Sequence, residues 1–294
     1  MNLNRFLIRL FTTFMFRSQF AQRLILLEKN YKALTGFLLD TKKFLDTYTL
    51  LLSYLQIRKP LDYDLVRIGS SSDGGYVLAD NFSDICTVIS LGVGKNVDIE
   101  LFFANLGKNI LLFDGTITRL PKNHSNFKFF ASNVYGIPLS QRRNEKDIFI
   151  NDIFSYHLKS TSLNIAGSHL DLKVLFFIDI EGSEYDLLLN LESENLKLCQ
   201  QVTVEFHGIF KEITSPNPKI FECLKKLNET HELISVHGNN YAASFKIGGA
   251  DYPDVLETTW MLKTATKYVK GKNDFNLILN KPNNPGVPDL MLEW

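Results

Sequence analysis

A chain of 294 residues is long enough to bury one sizeable core and a smaller appendage. Its 32 basic and 32 acidic residues cancel to a formal charge of +0, so no global field draws it to nucleic acid, and none is expected as a partner. No apolar run approaches the roughly eighteen residues that span a bilayer, and Cys86, Cys199 and Cys223, odd in number and without CxxC spacing, read as buried thiols of a reducing, cytoplasmic compartment.

The first 27 residues carry Arg5, Arg9, Arg17 and Arg23 and no acid, while Leu3, Phe6, Leu7, Leu10, Phe11, Phe14, Ala21 and Leu24 recur at helical spacing. This pattern predicts a basic amphipathic helix, with Arg5, Arg9, Thr12, Gln19 and Arg23 on one face, where Phe16 intrudes. Arg9 interrupts what would otherwise be a signal-peptide core. Phe and Leu stripes are mostly core, so packing on the main domain or on a second copy in a homo-oligomer is favoured; the alternative is a peripheral anchor on an anionic membrane. The helical extension, residues 1–60, is broken near Gly36 and stopped before Pro60.

Leu65-Val-Arg-Ile68, a Gly-Ser turn and Asp73-Gly-Gly-Tyr-Val-Leu78 predict a hairpin. From Val88 onward strands (87–91, 110–114, 127–131, 173–179, 202–207, 232–237, 257–262) alternate with helices (96–106, 184–191, 218–229), with a less legible stretch over 139–170. Such alternation specifies an α/β, Rossmann-like domain over 61–265, a mostly parallel sheet with helices on both faces. Lys173-Val-Leu-Phe-Phe-Ile178 is apolar on both sides, as a central strand should be. The tail, 266–294, with Pro282, Pro285 and Pro288, reads as an extended wrap or mobile end.

Val88-Ile-Ser-Leu-Gly-Val-Gly94 followed by Ile110-Leu-Leu-Phe-Asp114 places a glycine turn after one strand and a carboxylate at the end of the next, where it can grip a ribose diol. Gly92, Gly94 and Asp114 are therefore candidate cofactor residues. A dinucleotide fingerprint needs a third glycine where this chain has Val97. A ligand with an adenosine ribose but no phosphate tolerates that loss, and S-adenosylmethionine is the commonest such ligand. An ordinary glycine turn is the plainer alternative.

Ligands of open parallel sheets sit beyond the carboxyl ends of the strands, and three ends here are loaded. Asp179 and Glu181 end one strand, two apart and hence on one face if the strand continues. Glu205 and His207 repeat the arrangement on the next, and His237 ends the one after. Ser183 with Asp186 reads as a capping box, which accounts for Glu184 and Asp186. Asp179 follows an apolar run and needs a partner to stay charged. His124, His157, His169 and His231 lack such company. The candidate catalytic set is thus His207, Glu205, Asp179 and His237, with His207 as general base in methyl transfer to an alcohol and Glu205 or Asp179 orienting it. The second option is a divalent metal on Asp179, Glu205 and His207.

Arg67-Ile-Gly with Asp73-Gly-Gly-Tyr-Val, Ser90-Leu-Gly-Val-Gly-Lys-Asn-Val-Asp98, Asp114-Gly-Thr, Ile178-Asp-Ile-Glu-Gly-Ser-Glu184, Val204-Glu-Phe-His-Gly208 and Val236-His-Gly-Asn-Asn-Tyr241 resemble the FkbM-type methyltransferases, a branch of the class I S-adenosylmethionine-dependent enzymes. The resemblance covers roughly residues 65–263. It implies a class I methyltransferase sheet of seven strands with one antiparallel strand, supplied here by 257–262. It also implies cofactor contacts from the glycine loop, Asp114 and Asp179, with adenine near Ala131 to Val134 and Asn133 among its contacts. The acceptor it implies is a hydroxyl of a sugar, glycan or polyketide. Lys95 and Asn96 stand where a further small residue is common in the family, and Arg67 or the backbone around Gly74 and Gly75 could hold the methionine carboxylate. The rival readings are a nicotinamide-dependent oxidoreductase and a non-catalytic oligomerisation or binding module.

Overall fold

The computed structural model describes residues 42–136, 147–162, 173–247, 250–271, 278–290 and 292. The amphipathic helix expected over residues 1–27 and the break near Gly36 lie outside the described residues, as does His169. The chain divides into two compact units, Met1–Thr49 and Leu50–Trp294. Residues 42–54 form a helix (α1), and the elements below belong to the second unit. Among the described residues no helix is long and apolar enough to cross a membrane.

In chain order, β1 (Arg58–Pro60) and a hairpin of β2 (Leu65–Gly69) and β3 (Gly75–Ala79) lead into β4 (Ile85–Leu91), α2 (Asp98–Asn105), β5 (Asn109–Phe113) and β6 (Phe127–Phe130). Short strands β7 (Val134–Tyr135) and β8 (Ile148–Phe149) precede α3 (Ile150–Ser162) and β9 (Lys173–Ile178). Next come α4 (Glu184–Asn190), α5 (Ser193–Leu198), β10 (Cys199–His207), α6 (Ile209–Thr214), α7 (Ile220–Thr230) and β11 (His231–Gly238). A second hairpin, β12 (Ser244–Ile247) and β13 (Ala250–Pro253), precedes β14 (Val255–Leu262), and β15 (Tyr268–Lys270) returns to pair with β1. The strands and helices predicted from 87 to 262 are present, with ends shifted by three residues or fewer.

The central sheet has seven strands in the order β11-β14-β10-β9-β4-β5-β6. Pairs β4 with β5, β5 with β6, β4 with β9 and β9 with β10 are parallel, whereas β14 runs antiparallel to both β10 and β11. Both faces are covered, which is why β9 can be apolar on both sides from Val174 to Ile178. Neighbours on β9 divide between the faces: Phe177 meets Tyr76 of the hairpin, with ring centroids 5.9 Å apart, while Phe176 meets Phe154 of α3 at 5.5 Å. Val97, at the N-cap of α2, and Ile99 and Phe103 within it join Val88, Ile110 and Phe177 in one buried cluster. So the position that lacks the third glycine is filled by a core valine.

The β2–β3 hairpin is fastened to the sheet by a side chain acting as a strand. The fully buried Gln201 amide accepts from Ala79 N at 2.9 Å and donates to Ala79 O at 2.8 Å, as a neighbouring peptide would. This fixes the height of Tyr76 above β10. The tail is a wrap over the described stretch 278–290. Asn283, 1% exposed, donates to Glu257 and Asp73, Leu290 bridges Gly238, and Asn240 donates to the carbonyls of Asn284, Val287 and Pro288. All three cysteines are free, Cys199 and Cys223 buried and Cys86 half-buried.

Candidate functional site

The chain passes from β4 outward through β5 to β6 and then returns to the other side of β4 for β9 and β10. At that reversal the connections leave in opposite directions and open a crevice beyond the strand ends. A cleft of about 470 Å³ lies there, bordered by the Gly92–Asn96 loop, Asp114, Thr116, Ser132, Asn133, Asp179 and Glu181. Its size is within the range of small-molecule sites.

Two glycines shape its floor differently. Gly92 has φ +80°, and a Cβ there would lie 1.5 Å from the backbone oxygen of Asp179, so the ends of β4 and β9 can touch only through a residue without a side chain. Gly94 has φ +57° and open space where its Cβ would be. Its N–H donates to Asp114 Oδ2 at 2.8 Å, while Thr116 N and Oγ1 donate to Asp114 Oδ1 at 2.7 and 2.6 Å. Burial pushes the Asp114 carboxyl up, but the Thr116 hydroxyl and the Gly94 and Thr116 N–H groups outweigh it and hold the group below its ordinary value. Asp114 is thus an anion at the cleft wall, immediately after β5 rather than within it.

Asp179 likewise stands one residue past β9. The strand does not continue, so the expectation that Asp179 and Glu181 share a strand face does not hold: Glu181 turns left-handed at φ +51°. The tight turn still brings both to one imidazole. His207 Nε2 lies 3.7 Å from Asp179 Oδ1, 3.6 Å from Glu181 Oε2 and 3.7 Å from Glu205 Oε1, and Nδ1 lies 3.4 Å from Glu184 Oε1. Glu205 is held from behind by the Tyr76 hydroxyl at 2.8 Å and the Asn239 amide at 2.8 Å. Burial, with help from neighbouring carboxylates, pushes Asp179 up to about 7 and Glu205 up to about 8. Burial pushes the His207 ring down, but Glu184, Glu205 and Asp179 outweigh it and raise the ring to about 9.

The capping-box reading of the next turn is corrected. Ser183 makes no side-chain cap hydrogen bond, and Asp186 is a surface residue paired with Lys219 at 2.7 Å. Glu184, assigned from sequence to that cap, is fully buried and accepts from Gly182 N at 2.8 Å and His207 N at 2.6 Å, tying the β9–α4 turn to the end of β10.

Of the other sequence-derived candidates, Asn133 lines the cleft as expected. Arg67 is committed to the hairpin turn, donating from Nε to Ser70 O at 3.2 Å and from Nη2 to Ser72 O at 2.9 Å. Gly75 is packed against that turn, since a Cβ there would meet Ser70 O at 2.1 Å. His237 does not join the cluster: Nδ1 faces Glu257 Oε2 at 3.0 Å and Nε2 faces Asp289 Oδ1 at 2.9 Å, which makes it a clasp for the tail. Sequence reasoning missed Tyr76, Asn239, Thr203 and Lys95. Tyr76 lies 129 residues from Glu205, so its place in the Asp73-Gly-Gly-Tyr-Val segment does not reveal that partner, whereas Lys95, which lines the cleft, is visible as a basic residue in the glycine loop. No family model, no curated protein and no solved structure matches this chain.

Proposed function

We propose that this chain is an S-adenosylmethionine-dependent methyltransferase of the FkbM type, acting on a hydroxyl of a sugar or glycan acceptor. The observation that carries the reading is Asp114, an anionic carboxylate at the cleft wall bonded to Gly94 of the glycine loop, placed to receive a ribose diol. The sheet order with β14 alone antiparallel supports it, because it is the arrangement the sequence resemblance implies.

Helix α2 argues against a dinucleotide. Its first turn carries Asp98 and Glu100, and the Asp98 N–H already donates to Asn96 Oδ1 at 2.9 Å, so a pyrophosphate would meet two carboxylates there. S-adenosylmethionine, when bound, supplies the electrophilic methyl group. Asp114 would hold its ribose, Ser132 and Asn133 would lie toward its adenine, and Lys95 would offer charge to its methionine carboxylate, a role that Arg67, committed to the hairpin turn, does not fill. Asp179 is the one member of the His207, Glu205 and Asp179 trio that lines the cleft, so it faces the acceptor hydroxyl while Glu205 and His207 support it. An acceptor hydroxyl must lose its proton as it takes a methyl group, and this cluster would receive that proton.

The test is a calorimetric titration of the full chain with S-adenosylhomocysteine, run beside NAD and NADP. Binding near the micromolar range by the homocysteine compound alone supports the reading and justifies an acceptor screen among glycans. Binding of a nicotinamide cofactor instead, or of neither, overturns it.

A further inference from the structure

We propose that Asp179, Glu205 and His207 bind one divalent cation of the Mn2+ or Mg2+ class, beside the cleft, where an acceptor hydroxyl can enter its coordination shell. The acceptor clause rests on the function proposed above; the cation site does not.

The spacing is that of ligands rather than of hydrogen-bond partners. One donor atom from each residue lies within 4.8 Å of the other two. His207 Nε2 stands 3.7 Å from both Asp179 Oδ1 and Glu205 Oε1, too far for a hydrogen bond to either. Atoms spaced this way around a shared centre correspond to bonds of about 2.1 Å, the length of metal–oxygen and metal–imidazole bonds. Two carboxylates with one imidazole form an oxygen-rich set, and three ligands leave positions open for water or an acceptor oxygen.

Charge points the same way. Asp179, Glu181, Glu184 and Glu205 all face one imidazole, and among the described residues no lysine or arginine pairs with any of them. Glu184 and Glu205 are buried, Asp179 is partly exposed and Glu181 is open to solvent; buried carboxylates need a cationic partner or a metal, and one ring is shared by both buried acids and Asp179. The residues behind the ligands are arranged to aim them. Tyr76 and Asn239 each hold one oxygen of Glu205, and Glu184 stands 3.4 Å from Nδ1, leaving Nε2 to point at the shared centre.

An independent feature marks the place as one that receives a ligand oxygen. Thr203 lies two residues before Glu205 on the same face of β10, lines the cleft and is 1% exposed. Its buried hydroxyl has no hydrogen-bond partner among the described residues, a condition that native interiors rarely tolerate.

The experiment titrates the chelator-treated full chain with MnCl2 alone, by calorimetry and by loss of the free-ion electron paramagnetic resonance signal, which counts sites without reference to activity. We expect one Mn2+ per chain. Glu205→Gln and His207→Gln should each weaken it by at least about tenfold, and Tyr76→Phe, which frees one oxygen of Glu205, by about tenfold. Asp186→Asn, a surface acid outside the cluster, should bind Mn2+ as the wild type does. Thermal melts without metal identify any variant that fails to fold, and Tyr76→Phe, which removes only a hydroxyl, then carries the test. No bound Mn2+, or binding indifferent to these substitutions, overturns the site. Mn2+ binding by a chain that does not bind S-adenosylhomocysteine would leave the cation site standing and overturn the methyltransferase reading; the reverse pair of results would overturn the cation site alone.

Discussion

Replacing Asp114 by asparagine keeps the shape of the side chain and an oxygen for Thr116, but it removes the charge and turns an amide group toward Gly94 N–H, which now faces a donor. Two losses follow, and they can be separated. The glycine loop loses its bond to Asp114, worth about 1 kcal/mol of stability. The ribose loses a charge-assisted partner, worth about 1.5 to 3 kcal/mol, so S-adenosylhomocysteine should bind about ten- to a hundredfold more weakly. Asp114→Ala should lose at least as much affinity. Thr116→Val is the control: it removes the 2.6 Å hydroxyl bond behind the carboxylate and no atom assigned to the ligand, and should change affinity by less than about threefold. Calorimetry on the three variants, with urea unfolding of each, is the assay. A folded Asp114→Asn that binds within twofold of wild type would refute the assignment. Equal losses in Asp114→Asn and Thr116→Val would show that loop geometry, not ribose contact, is what Asp114 provides.

The two cleft glycines should respond oppositely to alanine. In Gly92→Ala the new Cβ must displace the Asp179 backbone, from which it would stand 1.5 Å, at a left-handed φ, so a loss of more than about 4 kcal/mol in urea unfolding is expected. Gly94→Ala meets nothing within 4 Å and should cost only about 1 to 2 kcal/mol for its left-handed backbone, while the added methyl narrows the loop and weakens S-adenosylhomocysteine about tenfold; wild-type stability for Gly92→Ala would show that the two strand ends are not in contact. A pH effect on stability is expected from His231, where burial, reinforced by Lys263 and opposed by the Cys199 carbonyl, pushes the ring down from 6.5 to about 4. Because the unfolded chain binds this proton more readily, the contribution is intact above about pH 6.5 and is lost as pH falls toward 4, amounting to about 2 kcal/mol between pH 7 and 5. Other groups titrate in that window, so the quantity to measure is the difference in pH slope between wild type and His231→Gln by urea unfolding; identical slopes would refute the buried neutral ring.

Much of the framework was legible because it is local. Five apolar residues from Val174 to Ile178 can be satisfied only by a strand covered on both faces, and residues 174 to 178 are indeed all buried. The glycine turn after β4 and the carboxylate after β5 are readable because a left-handed backbone and a strand-end acid are properties of single residues at fixed offsets. The misreadings arose where a local pattern had a competing local explanation. Ser183-Glu184-Tyr185-Asp186 has the letters of a capping box, yet the Glu184 carboxylate turns inward, because Gly182 N–H and His207 N–H both stand within 2.8 Å of it. His237 ends a strand as His207 does, but its partners Glu257 and Asp289 belong to β14 and the tail.

The sequence by itself determined the α/β class, the strand and helix order and the identity of the strand-end residues Asp114, Asp179, Glu205 and His207, since periodicity and glycine placement act within a few residues. Only the tertiary structure decided which of those ends meet. β9 and β10 lie side by side, so Asp179, Glu205 and His207 converge, while the insertion of β14 between β10 and β11 carries His237 one strand further away. The hairpin fastened by Gln201 sets Tyr76 against Glu205, and the tail reaches back to clasp His237. Such pairings follow from strand order and from surface that must be buried, neither of which leaves a period in the chain.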